Sequence, residues 1–372
     1  MAQPRRGTDT GSMRDVLPVV IDRLSRGPVA IARIIGTSGP TPRGVGAAMA
    51  VTADGEVIGS VSGGCVESAL VHTCMTVLDD ACAVVEHFGI ADPDGIEVGL
   101  TCGGSLEVFV ERIDSGHRRA LDDLAGHLAA DRRVAWATTL SDSPEWYITT
   151  STREPWRRLG RDVADLLTSG RSGIIGVDDC DEPAESGGDR PRTFVQTFAP
   201  NARLILVGAN DFVRATSSIG RSLGYRVTVV DARPVFATRA RFPDADEVIV
   251  DWPHRYLESE IRSGAVDATT SICVMTHDPK FDVPTLRLAL TDSAAGFVGA
   301  LGSRRTVADR NERLVESGVT AAHLSRLRSP VGLHLGGHTP AEVAVSIAAQ
   351  LIADRHAASA APLHTTSGPL HL

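Results

Sequence analysis

At 372 residues the chain is too long for one ordinary core and has the length of two domains. Its composition, 42% hydrophobic and 22% charged, is that of a soluble globular protein, and a formal net charge of −9 gives a nucleic-acid partner no electrostatic support. No apolar run approaches the roughly 20 residues of a membrane helix. Six cysteines without a C-x-x-C pair do not make a secreted disulfide framework, so the cytoplasm is the expected compartment. Residues 1–12 are polar and lack an apolar segment; they read as a disordered leader, not a signal peptide.

In chain order, 14–26 has helical spacing and stops at Gly27-Pro28, and 29–35 reads as a buried strand. Residues 36–46 form a loop rich in Gly, Pro, Ser and Thr that contains Arg43. The runs 48–51 and 57–58 flank Asp54-Gly55, a hairpin signal. The β-like run 56–61 then enters Ser62-Gly63-Gly64-Cys65-Val66-Glu67, where two glycines allow a turn with positive φ. A helix follows to about Asp80. Cys65 therefore sits at or just before a helix N-terminus, where free N–H groups and the dipole favour a thiolate or another anion. The residues leave two readings open: a thiolate or anion site, or a structural cysteine buried beside a tight turn. Cys74 and Cys82 are expected in the core. Cys102-Gly103-Gly104 places a second cysteine in a glycine-lined turn before the half-buried strand 106–111. Two such thiols can ligate a soft metal, hold a sulfur-containing ligand or form a redox pair. A helix at 118–132, strands at 134–139 and 146–149, a short helix at 162–168, an acidic loop at 178–192 and a strand at 193–198 complete the first domain, and 199–202 is a linker.

The second domain alternates short apolar strands with helices: strands at 203–207, 226–230, 247–251, 271–276 and 297–301, helices at 211–223 and 341–352. The rhythm predicts a doubly wound parallel sheet with its ligand at the carboxyl ends of the strands. There stand Gly208-Ala209-Asn210, Asp231, His277-Asp278 and Ser303-Arg304-Arg305. Asp231 lies about twenty residues after Gly208, the spacing of a ribose-binding acid. Asn210 stands where a dinucleotide fingerprint has its second glycine, which weakens an NAD(P) site. Arg304 and Arg305 at a helix start suit a phosphate. His277-Asp278 suits a metal, a proton shuttle or a loop anchor. His334 and His338 flank a glycine turn. Thr339-Pro340-Ala341-Glu342 is a capping box.

Taken together, 59–67, Cys102-Gly103-Gly104, Gly208-Ala209, 227–231 with Arg233-Pro234, 275–278, 301–305 and 339–342 resemble the XdhC/CoxI family, maturation factors of molybdenum hydroxylases such as xanthine and carbon monoxide dehydrogenases. The resemblance covers about 14–354. It implies an N-terminal mixed α/β XdhC/CoxI-type domain (13–198) and a C-terminal Rossmann-like domain (202–356). It further implies a protein that binds the molybdenum cofactor, presents it to a cysteine desulfurase for sulfuration and inserts it into an apo molybdenum hydroxylase. Cys65 matches the family's SGGC cysteine and Cys102 its CGG cysteine. The chain departs from the family at Asn210 (a glycine), Asp211 (a histidine) and Pro279 (often a second histidine). On this reading Gly63, Gly64, Cys65, Cys102 and Gly103 lie near the molybdenum. Gly208, Asp231, His277, Asp278 and Arg304 lie toward the pterin phosphate or a nucleotide extension. A homodimer is the expected assembly, since the two loops can be completed across subunits. The competing readings are an NAD(P)-binding oxidoreductase, with Asp231 on the ribose and His277 as acid–base, and a thiol-redox or metal-binding regulator using Cys65 and Cys102.

Overall fold

A computed structural model describes residues 11–89, 99–100, 103–150, 159–176 and 191–367. The chain divides into one unit of Met1–Pro200 with Ser367–Leu372 and a second of Asn201–Thr366. The first carries α1 (Met13–Arg23), β1 (Val29–Ser38), β2 (Ala48–Thr52), β3 (Val57–Gly59), α2 (Glu67–Asp80), β4 (Val84–Phe88), β5 (Ser105–Ile113), α3 (Arg118–Ala129), β6 (Val134–Thr139), β7 (Trp146–Thr149), α4 (Gly160–Ser169), β8 (Gly173–Ile175) and β9 (Thr193–Phe198). Its strands form two antiparallel sheets, ordered β3-β2-β1-β5-β4 and β7-β6-β9-β8.

β1 is buried on both faces, which is why residues 29–35 are apolar except for Arg33. Ala30, Ala32 and Ile34 pack with Leu70, Cys74 and Val77 of α2. Val29 and Ile31, on the other face, pack with α1, α3 and Trp136 of β6. The leader expectation is corrected at its end. Ser12 caps α1 by accepting from the Arg14 N–H and bridges Ala47, and Gly11 O accepts from the Ala48 N–H. Cys82 is also corrected. α2 ends on Ala81 at φ 61°, and Cys82 is left exposed in the turn before β4. Cys74 is in the core as expected, where burial pushes its thiol up to about 12. The acidic loop 178–192 lies almost wholly outside the described residues.

The second unit carries β10 (Arg203–Val207), α5 (Asp211–Ser222), β11 (Arg226–Val230), β12 (Glu247–Ile249), α6 (Pro253–Arg262), β13 (Ser271–Val274), α7 (Pro279–Thr291), β14 (Phe297–Ala300), α8 (Arg304–Glu316), α9 (Ala321–Leu324), β15 (Leu327–Arg328) and α10 (Pro340–Arg355). All its strand pairs are parallel, in the order β12-β11-β10-β13-β14-β15. Counted within the unit this is 3-2-1-4-5-6, the Rossmann order, with its switch point between β10 and β13. Successive strand residues face opposite sides. Ile205, Val207, Ile272 and Val274 pack with α6, α7 and α8, while Leu204, Leu206 and Cys273 pack with α5 and α10. The sheet is thus doubly wound. Strands β12, β13 and β14 end one or two residues earlier than the apolar runs, because ladder pairing stops there and the chain turns out into the carboxyl-edge loops.

Candidate functional site

Gly63 and Gly64 have φ of 76° and 127°, so the turn before Cys65 is open to glycine and hostile to other residues. Val66 is the N-cap of α2 and makes no side-chain cap. Cys65 is one residue further out, half-buried against the core that contains Val61, Val66 and Leu100. The N–H groups of the turn itself, residues 61–64, which lie beside the sulfur, are committed to Glu67. Its Oε1 accepts from the N–H groups of Val61 (3.2 Å), Ser62 (2.8 Å) and Gly63 (3.0 Å) and from Ser60 Oγ (2.7 Å). Its Oε2 accepts from the Gly64 N–H (2.8 Å) and from Ser62 Oγ. Ser62 Oγ accepts in turn from the Val66 N–H. Burial alone would raise this carboxyl, but the hydrogen bonds from Ser60, Ser62 and the backbone win and hold it at about 2. The loop is therefore an anion nest whose anion is built in. Sequence reasoning includes Glu67 in the motif and assigns it no role. The available signal is a Glu at the first position of a helix just after two serines and a glycine pair.

Cys102 lies outside the described residues, whereas the two glycines after it lie within them. Gly103 has φ 85°, and a Cβ on Gly104 would stand 2.2 Å from Pro40 O, so that loop lies against the segment leaving β1. The pairing directions put the ends of β1 and β3 and the start of β5 at one edge of the five-stranded sheet. Cys65 and Gly103 thus belong to loops of the same edge.

In the second unit Gly208, Asp231, His277-Asp278 and Arg304 all follow carboxyl ends of parallel strands, as expected. Gly208 has φ 118°, and a Cβ there would stand 2.8 Å from Thr276 Cγ2. Asn210 does not stand idle. Its Oδ1 caps α5 at the Val213 N–H (3.0 Å), and its Nδ2 donates to Met275 O (2.8 Å), which ties β10 to β13 across the switch point. Asp231 is buried, and both its oxygens are held by Arg233: Oδ1 by the backbone N–H and Nε (2.9 Å each), Oδ2 by Nη2 (2.7 Å). Arg233 is raised by that pairing and also feels Asp278. Asp278 caps α7 through the Lys280 N–H, and His277 beside it is exposed. Arg304 and Arg305 are exposed on the first turn of α8, which Ser303 caps. Among the described residues no group of three or more His, Cys, Asp and Glu could hold a metal ion, and no helix is long and apolar enough to cross a membrane.

Behind this edge lies a buried pair that the sequence did not reveal. Asp282 accepts from Thr276 Oγ1 and from Arg310 Nη2 (3.1 Å), and Arg310 also donates to Leu301 O (2.8 Å) and Ser329 Oγ (3.1 Å). One guanidinium so joins the segments that follow β13, β14 and β15. Burial pushes the Asp282 carboxyl up, against the pull of Thr276 and Arg310. Asp282→Asn keeps the shape but removes the charge opposite Arg310; a loss of about 1–3 kcal/mol in urea unfolding is expected. An unchanged midpoint would mean the pair does not hold this edge.

These features define a class: a two-part protein with a glycine-turn cysteine on an antiparallel α/β unit, followed by a Rossmann domain. Residues 23–89 match the XdhC and CoxI family model, and residues 204–351 match that of the XdhC Rossmann domain. The chain belongs to the XdhC/CoxI family. It is 27% identical over 333 residues to a Bacillus subtilis protein named as a probable xanthine dehydrogenase subunit, with 87% of this chain and 92% of that one covered. It is 23% identical over 354 residues to the molybdenum cofactor insertion chaperone PaoD of Escherichia coli, with 95% and 92% covered. A crystal structure described as a xanthine dehydrogenase from Bacillus halodurans superposes with a TM-score of 0.71 at 26% identity, over 93% of this chain and 96% of that one.

Proposed function

We propose that this protein is a maturation factor for a molybdenum hydroxylase of the xanthine or carbon monoxide dehydrogenase type. It binds the molybdenum cofactor, supports its sulfuration by a cysteine desulfurase and inserts it into the apo-enzyme; a homodimer is part of the same reading. The observation that carries it is the Cys65 loop, where a half-buried sulfur follows a turn held by a hydrogen-bond network made within the chain. The donor set suits the cargo: the cofactor brings an anionic dithiolene, a phosphate and a molybdenum centre, and Cys65 offers a soft sulfur. The loop's N–H groups serve Glu67, so this loop presents a thiol and does not grip an oxyanion. No observation favours the NAD(P) reading, since Asn210 and Arg233 occupy the groups a dinucleotide would need.

The test is anaerobic equilibrium binding of purified molybdenum cofactor, followed by ultrafiltration and molybdenum analysis. Near-stoichiometric metal is expected on the wild type, and at least about tenfold weaker binding on Cys65→Ala. A Cys65→Ala protein that binds cofactor and matures its target as well as the wild type would remove Cys65 from the role.

A further inference from the structure

The second unit holds a cavity of about 370 Å³, within the usual size of small-molecule sites. It lies at the amino edge of the parallel sheet, the side away from Gly208, Asp231 and His277. Tyr225 precedes β11, Ser271 and Phe297 begin β13 and β14, and Leu351, Asp354 and Arg355 close the cavity from the last turns of α10. Phe297 and Leu351, both buried, give it an apolar wall. Tyr225 and Ser271 are each only 5% exposed, and among the described residues neither hydroxyl has a hydrogen-bond partner. A hydroxyl both donates and accepts, so this pair can serve a ligand's donor or its acceptor. The rim decides the ligand's charge. Arg355 lies over the Tyr225 ring, 4.6 Å from its centroid, and repels a cation. The end of α10 carries the negative pole of the helix dipole, and Asp354, held by Arg328 Nε at 3.0 Å, adds a carboxylate; both disfavour an anion.

We propose that this cavity binds a small, uncharged aromatic molecule bearing a hydroxyl or a ring N–H group. Its ring lies against Phe297 and Leu351, and its polar group bonds Tyr225 Oη and Ser271 Oγ. Burial of the ring drives association, and the two hydroxyls select against a purely apolar ligand, which would leave both without partners. The site stands apart from the Cys65 loop and from the carboxyl edge, so it does not rest on the maturation reading. An occupant touching the starts of β13 and β14 and the end of α10 ties these elements together, and the melting temperature rises with its concentration.

The experiment titrates the full chain with indole by calorimetry and records thermal melting at each concentration. Benzoate and benzylamine serve as anionic and cationic counterparts. The variant is Tyr225→Phe with Ser271→Ala, which keeps the ring and the strand ladder and removes no hydrogen bond made among the described residues. Indole is expected to bind the wild type at millimolar concentration or below, to raise its melting temperature, and to bind the double variant about tenfold or more weakly. Each charged probe is expected to bind the wild type about tenfold or more weakly than indole. If the double variant melts far below the wild type, Ser271→Ala alone carries the comparison, with a loss of about threefold or more expected. No binding of indole by the wild type overturns the site, as does binding by the folded variant within about twofold of the wild type. A charged probe that binds as well as indole overturns the assignment of an uncharged ligand.

Discussion

Glu111→Ala is expected to cost about 3–5 kcal/mol of folding stability, because it strands a buried cation. Arg33 is fully buried in β1 and Glu111 is 1% exposed in β5. Arg33 Nη2 donates to Glu111 Oε1 at 2.6 Å and to Thr138 Oγ1 of β6 at 2.8 Å, while Trp146 Nε1 donates to Glu111 Oε2 at 2.8 Å. The guanidinium lies 3.9 Å from the Trp136 ring and 5.3 Å from that of Phe194. This one side chain therefore couples the two sheets of the first unit. The arrangement is costly even when intact: burial pushes the Arg33 pKa down against the pull of Glu111, and its Nε and Nη1 have no partner. Stacking on Trp136 offsets part of that. Removing the carboxylate leaves all the cost and little of the return. The loss approaches the whole stability of a typical domain, so urea unfolding of three variants is the informative measurement. Glu111→Ala should fall furthest and Glu111→Gln less far. Arg33→Met with Glu111→Leu should recover most of the deficit, since a hydrophobic replacement of both partners is often close to neutral. A Glu111→Ala midpoint equal to the wild type would sink this account.

The same arginine shows where the sequence stops speaking. Residues 29–35 read as a buried strand, and β1 is one, because the apolar run dictates it. Nothing local tells that Arg33 is inside with a partner, since Glu111 and Thr138 lie 78 and 105 residues away. The Rossmann half is more legible. Its first five strands are short apolar runs followed closely by Gly, Asp or His-Asp, a pattern suited to a parallel sheet, while β15 is only two residues held by pairing with β14. β8 escapes sequence reading: three residues held by pairing with β9 carry no periodicity of their own. At the site, the glycine pair announces the turn at Cys65 and Asn210 announces a damaged fingerprint. What each polar group actually binds is not announced. Asn210 caps its own helix, Asp231 is held by an arginine two residues on, and the nest at Cys65 encloses a carboxylate from the helix it precedes. In each case a short-range partner within the chain takes the donors that a sequence pattern assigns to a ligand.

Glu67 gives the second large effect, and one that links stability to the Cys65 turn. Its carboxylate accepts from four backbone N–H groups and two hydroxyls, and the N–H groups of Val61 and Ser62 belong to buried residues. Glu67→Ala leaves these donors facing one another around a void. Glu67→Gln keeps the shape but replaces one acceptor with an NH₂ aimed at donors. Each is expected to cost about 3 kcal/mol at neutral pH, the scale of losing charge-assisted bonds at a partly buried site. The pH dependence separates this from simple misfolding. The folded carboxyl sits at about 2 against an ordinary 4.5, so its contribution is complete above about 4.5 and fades as pH falls toward 2. The gap between wild type and Glu67→Gln in urea midpoint should thus be full at pH 6 and clearly smaller at pH 3. Because other depressed carboxyls, such as Glu342, titrate in both proteins, the difference isolates Glu67. The folded fraction of Glu67→Gln should also bind molybdenum cofactor more weakly, because the Cys65 turn is no longer held. A stability gap that stays constant from pH 6 to pH 3 would show that the carboxylate is not what holds the turn. Unchanged cofactor binding with the gap present would show that the turn's geometry does not govern the sulfur's role.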